Sequence, residues 1–151
     1  MANKDLRDWI SELEANGQLQ HVSGADHHEE IGAIVDIHMH KMTNPAVMFD
    51  DIPGFPKGSR VLANILTSVP RINIALGKPV DTTEIELVNY WRDYMKDQPV
   101  HEPIEVNGGP LIENVFEGDD IDIMKIPAPK WHELDGGYFI GTACMVVMKD
   151  P

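Results

Sequence analysis

The sequence predicts an α+β chain, and three observations carry that prediction. Apolar residues recur at helical spacing in several stretches. Short β-prone runs lie between those stretches. The composition, 42% hydrophobic and 25% charged, is that of a folded globular protein and too apolar for disorder. At 151 residues the chain suits one domain, or one small domain and part of another. A chain of this size buries roughly 70% of the surface it exposes when unfolded, enough for a true core.

Taken in order, Leu6, Trp9, Ile10 and Leu13 follow the i, i+3, i+4, i+7 stripe and predict a helix over 5–16, closed at Gly17. "QLQHV" follows as a short strand, and "AVMFDDI" and "RVLANIL" as two more on either side of the turn "PGFPKG". Pro70 opens a short helix, "RINIAL", that Gly77 closes. Thr83 and Glu86 have capping-box spacing and start a helix, "EIELVNYWRDYMKD", that runs to Pro99. Its aromatics Tyr90, Trp91 and Tyr94 are expected to pack in a core or interface. Beyond Pro99, "PIEVNGGPLIENVF" places two β-prone segments around Asn107-Gly108, a hairpin signal. "GDDIDIMKIPAPKWHELDGG" is a connector rich in Gly, Pro and Asp, and "YFIGTACMVVM" has the nearly unbroken apolar character of a buried strand.

Charge narrows the function. Twenty-five acidic residues against 12 basic ones give −13, a field that repels phosphate backbones and anionic membranes. No run approaches the ~20 apolar residues of a membrane span. The opening "MANKDLRDW" lacks the apolar segment of a signal peptide. A lone cysteine, Cys144, allows no internal disulfide and fits a reducing cytoplasm; within its apolar run it is expected to be a buried, inert thiol.

"DHHEEIGAIVDIHMHK", residues 26–41, holds four of the seven histidines. Read as a strand, "VDIHMH" puts His38 and His40 on one face, the arrangement of a metal-chelating HxH pair, and Gly32 six residues before His38 matches the opening of a cupin metal motif. Asn44 and Pro45 stand where that motif needs a glutamate. Read as a helix, Asp26 and Glu29 form a capping box, Ile31, Ile34, Val35, His38 and Met42 fall along one stripe, and the two histidines point about 200° apart. Asp36 and His40 then become a surface pair, His27 and His28 solvated cap residues, and His38 a histidine at the edge of the packed face. The helix accounts for more residues. His132, Glu133 and Asp135 are residue types that carry acid–base chemistry, but they lie in "WHELDGG", which reads as a turn. There is no GxGxxG, P-loop, CxxC or GxSxG motif.

The order Gly-Asp-Asp-x-Asp, Pro-x-Pro, His132, Asp-Gly-Gly, an aromatic, Gly-Thr and Asp-Pro in "ENVFEGDDIDIMKIPAPKWHELDGGYFIGTACMVVMKDP" resembles UbiD-family decarboxylases. "DLRDWISELEANGQLQHV", "EIGAIVD", "PAVMFDDIPGFP" and "PRINIALG" are similar to that family's opening elements, so the resemblance covers essentially the whole chain. It implies reversible, non-oxidative decarboxylation of an aromatic or unsaturated carboxylic acid, with prenylated FMN held by a divalent metal such as manganese and by potassium. It further implies an N-terminal α/β domain (1–110), a connector (111–137) and the first strand of a split β-barrel flavin-binding domain (138–151), with homo-oligomers formed by a later domain. Thr142 is the one residue expected to face the flavin. The family's catalytic and metal-binding residues correspond to positions beyond 151, so these 151 residues alone are expected to be inactive. Two alternatives stand beside this: a stand-alone non-catalytic subunit of a multi-subunit (de)carboxylase, and a small metal-binding protein built on residues 26–41.

Overall fold

A computed structural model of the chain describes residues 5–96, 98, 99, 102–109 and 112–141. Helix α1 (Leu6–Ala15) leads through Gly17, in the left-handed region at φ 64°, to strand β1 (Leu19–Ser23). Helix α2 (Glu30–Met39) then crosses to β2 (Ala46–Asp50), which lies parallel to β1, and the short β3 (Val61–Ala63) returns antiparallel to β2. Helices α3 (Val69–Ala75) and α4 (Glu84–Tyr94) follow, and two single 3-10 turns, Gly118–Asp120 and Ile123–Lys125, mark the connector.

The sheet order is β1-β2-β3, so β2 is its centre. Val47 and Phe49 point to the α2 face, where they pack with Ala25, Ile31, Val35 and Ala63. Ala46 points the opposite way, into a second cluster with Trp9, Leu13 and Ile74 of α1 and α3. Both faces of β2 are therefore covered, which is why "AVMF" is apolar at every position instead of alternating. Arg71 of α3 is fully buried; its guanidinium donates to the Asn44 carbonyl and to the Thr67 hydroxyl (2.7 Å), pinning the loop after α2 to the loop after β3.

The structure adds a cap at Asp5, which accepts the N–H groups of Arg7 and Asp8 at 2.8 and 3.0 Å. The expected ends of α1 at Gly17 and of α3 at Gly77 hold, with φ of 64° and 65°. Thr83 and Glu86 form the reciprocal capping box of α4. Others are corrected. β3 stops at Ala63 because Asn64 turns into the left-handed region (φ 57°), a conformation asparagine tolerates better than most residues. The capping pair of α2 is Asp26 with Glu30, not Glu29: Glu30 accepts the Asp26 N–H (2.8 Å), while Glu29 itself occupies the N-cap position at φ 72°. Of the core or interface expected for Tyr90, Trp91 and Tyr94, the core does not form. Tyr94 lies 5.6 Å from each of the other two rings on a helix that buries only Leu87.

The hairpin around Asn107-Gly108 does not form among the described residues of 102–116. Ile104, Val106, Val115 and Phe116 are all exposed, and a two-stranded ribbon with no surface to cover is marginal in water. Residues 138–141 have no strand either, and the rest of the expected "YFIGTACMVVM" strand, with Cys144, lies outside the described residues. Among the described residues no helix is long and apolar enough to cross a membrane.

Candidate functional site

The histidine-rich stretch is a helix, and the helix dismantles the metal pair. His38 is buried; its Nδ1–H donates to the Ile34 carbonyl (2.8 Å), and its Nε2 faces Gln20 Oε1 (3.0 Å) and Lys41 Nζ (3.3 Å). His40 is exposed and donates to the Asp36 carbonyl at 2.8 Å. With both nitrogens of His38 engaged and His40 turned away, the cupin-like reading fails. Among the described residues no group of three or more His, Cys, Asp or Glu side chains is placed to hold a metal ion.

The same stretch does something else at its N-terminal end. Residues 127–139, the end of the connector and the first two residues after it, fold back as a strap over the start of α2. The Glu29 N–H donates to the Lys130 carbonyl and the Lys130 N–H to the His27 carbonyl, both at 2.9 Å, in a short parallel bridge. Lys130 also sends its ammonium to Glu29 Oε1 (2.7 Å) and to the Glu133 carbonyl (2.8 Å). The ammonium holds the Glu29 carboxyl below its usual range, chiefly through that hydrogen bond.

His27 and His28, expected to be solvated, grip the strap instead. His27 Nδ1–H donates to the Ala128 carbonyl (3.0 Å), and its ring stacks on Tyr138 with centroids 4.8 Å apart and lies edge-on to Phe55. His28 Nδ1 is 2.9 Å from the Tyr138 hydroxyl. Trp131 joins the core cluster beneath α2. It can do so because residue 32 is glycine: a Cβ there would lie 1.8 Å from the Trp131 carbonyl oxygen. The glycine that matched half of a metal motif is a close-approach glycine.

His132 and Asp135 make a turn, as the sequence indicated. The Asp135 carboxylate accepts the N–H groups of Trp131 (3.1 Å) and His132 (2.9 Å) and is committed to holding the strap's shape. No acid–base cluster forms with Glu133, which is exposed. Thr142 lies outside the described residues.

A second cluster lies on the other side of the sheet's N-terminal half. His21 sits between two carboxylates, with Nδ1 2.7 Å from Asp50 and Nε2 3.1 Å from Glu14. Hydrogen bonding to Asp50 first and Glu14 second pushes its pKa up. With a carboxylate on each ring nitrogen, His21 is a staple joining α1, β1 and β2 that becomes an ion pair when protonated, with no unpaired nitrogen for substrate chemistry. None of Lys130, Trp131, Tyr138 or His21 was singled out by sequence reasoning. Their partners lie as many as 110 positions away, and no local pattern announces them.

Comparison with known proteins agrees with this architecture. Residues 10–91 match the family model of the 3-octaprenyl-4-hydroxybenzoate carboxy-lyase N-terminal domain, and residues 103–151 match that of the same family's Rift-related domain. A pyrrole-2-carboxylic acid decarboxylase of Pseudomonas aeruginosa is 30% identical over 97% of this chain and 31% of its own length. A phenolic acid decarboxylase of Streptomyces sp. is 31% identical, covering the whole chain and 32% of its own length. Among solved structures, the vanillic acid decarboxylase of Sedimentibacter hydroxybenzoicus in an open form superposes with a TM-score of 0.79 at 28% identity, over 91% of this chain and 30% of that one. Its closed form gives a TM-score of 0.77 at 26% identity, covering 91% of this chain and 29% of that one. The chain thus spans about a third of the length of the curated relatives it matches. On these matches it belongs to the UbiD family of 3-octaprenyl-4-hydroxybenzoate carboxy-lyases.

Proposed function

We propose that residues 1–151 are the N-terminal part of an enzyme that reversibly decarboxylates an aromatic or unsaturated carboxylic acid in the cytoplasm, with prenylated FMN, a divalent metal such as manganese, and potassium. The observation that carries this reading is the match of residues 10–91 and 103–151, in order, to the N-terminal and Rift-related domains of one carboxy-lyase family. The curated relatives act on pyrrole-2-carboxylic and phenolic acids, which supports an aromatic acid as substrate. The division into an α/β domain to residue 110, a connector to 137 and the start of a flavin-binding split barrel belongs to the same proposal, as does Thr142 facing the flavin.

The described residues do not fit the metal, because no cluster of ligands is present among them. The buried His38 and the partly buried Asp135 are already committed to structural bonds. No catalytic step is therefore assigned to the described residues. Their role in this reading is to build the scaffold that presents the flavin-binding segment. The full-length polypeptide is a homo-oligomer in this reading.

The test is to isolate the polypeptide carrying this sequence from its native cell, weigh it intact and assay release of labelled CO2 from carboxyl-labelled aromatic acids. A longer polypeptide that releases CO2, beside a 151-residue chain that does not, is the expected result. CO2 release by the 151-residue chain supplied with prenylated FMN and manganese would overturn it. A second reading, a non-catalytic subunit that docks on a separate catalytic chain, draws on the exposed apolar side chains of Ile85 and Val88 on α4 and of Met95 at its C-cap. A native mass of 16.9 kDa would favour it.

A further inference from the structure

The strap belongs by sequence match to the Rift-related domain, yet it is fastened to the first domain. The fastenings are few and lie close together: two backbone bonds between Lys130 and the 27–29 segment, the His27–Ala128 bond, the grip on Tyr138, and the Lys130–Glu29 pair. None is part of the β1-β2-β3 ladder. The stretch that leads into the strap closes its hydrogen bonds on itself, with Ile112 donating to Gly109, Asp120 to Glu117, and Lys125 to Asp122.

The strap is also a body of its own. The Phe139 N–H donates to the Pro129 carbonyl at 3.0 Å and closes the loop at its neck. Inside, Asp135 accepts from Trp131 and His132 and donates its own N–H to the His132 carbonyl. A loop with close ends and internal bonds moves as a piece, not by fraying. At the junction, Glu29 is held at φ 72°, a region that costs a side-chain-bearing residue free energy, so the docked state carries local strain.

We propose that residues 127–139 are a latch between the two domains. The strap docks on the N-terminal end of α2 and releases from it as one unit, with Tyr138, held between His27 and His28, as the catch. Release breaks the contacts to 27–29 and withdraws Trp131, while the sheet and the strap's internal bonds persist.

Amide hydrogen exchange, resolved by residue, tests this on the 151-residue chain and its Tyr138→Ala and His27→Ala variants. In the unmutated chain, the Glu29 and Lys130 amides should exchange at least about tenfold more slowly than those of Ile121 and Lys125, whose bonds are only local. Each variant should speed Glu29 and Lys130 by about tenfold, leaving Val47 and Phe49 of β2 and the neck amide of Phe139 unchanged. Should Tyr138→Ala not fold, Tyr138→Phe keeps the ring on His27, loses only the hydroxyl contact, and should speed the same two amides on the order of threefold.

Three results would overturn the proposal. Glu29 and Lys130 exchanging as fast as Ile121 in the unmutated chain would mean no docking. Equal acceleration of Val47 and Phe49 would mean the strap is inseparable from the core. Loss of protection at Phe139 would mean fraying, not release as a unit. Exchange needs no substrate or flavin, so the outcome stands apart from the decarboxylase reading.

Discussion

Replacing Gly32 by alanine sets two physical effects against each other with opposite signs. Gly32 lies inside α2, where alanine is the better helix former by about 1 kcal/mol. Propensity alone therefore predicts stabilisation. The tertiary structure predicts the reverse. The new Cβ would lie 1.8 Å from the Trp131 oxygen, 2.6 Å from its carbonyl carbon and 2.7 Å from its Cα, all backbone atoms that cannot rotate aside. Ordinary contact begins at 3.4 Å, so the strap must retreat by 1.6 Å, the difference between 3.4 and 1.8. Bonds of 2.9 Å between Lys130 and residues 27 and 29 do not survive such a shift. Their loss costs about 1 kcal/mol each, and withdrawing the partly buried Trp131 about another 1 kcal/mol. Set against the propensity gain, the net destabilisation is about 2 kcal/mol. At a typical urea slope of 1–3 kcal/mol per molar, the midpoint should fall by about 1 M, with near-ultraviolet dichroism reporting the loss of Trp131 packing. An unchanged or raised midpoint would refute the docked strap and leave α2 an ordinary helix.

Three further outcomes follow from other parts of the molecule. His21 has a folded pKa raised by Asp50 and Glu14, so its contribution to stability is complete below its unfolded value near 6.5 and is lost as pH rises through the folded value. The stability difference between the unmutated chain and His21→Gln, measured by urea denaturation from pH 6 upward, should accordingly shrink with pH; a difference that grows would contradict the staple. At Glu29, alanine and glycine both remove the carboxylate that pairs with Lys130, but only glycine relieves the left-handed backbone, so Glu29→Gly should be more stable than Glu29→Ala by about 1 kcal/mol in the same assay. Thr83→Ala removes one half of the α4 capping box and should cost about 1 kcal/mol, seen as lost helical dichroism and faster amide exchange confined to the start of α4; Thr83→Ser should restore both.

What could be read from the sequence shares one property: the interacting residues are neighbours in the chain. The stripe of Leu6, Trp9, Ile10 and Leu13, the cap at Thr83 and Glu86, and the helix-ending Gly17 and Gly77 each act within a turn or two, so spacing alone reveals them. The apolar run "AVMF" likewise marked β2 as a strand, and the structure shows it covered on both faces. The family resemblance was legible because the order of short motifs survives along the whole chain.

The strap was not legible. Its contacts join residues some 100 positions apart, and the bond between Lys130 and Glu29 spans 101. Sequence spacing says nothing about which of many exposed-looking histidines, lysines or tyrosines will meet, because that depends on where the packed sheet puts the end of α2. The hairpin at 103–116 failed for the related reason that β-propensity needs a partner and a face to cover, and neither is present among the described residues. The helices α1 to α4, the presence of the three short strands and the capping box of α4 were determined by local sequence. The identity of Gly32 as a contact point, the grip of His27 and His28 on Tyr138 and the burial of His38 were decided only by tertiary packing, since each owes its free energy to a surface that exists after the chain has folded.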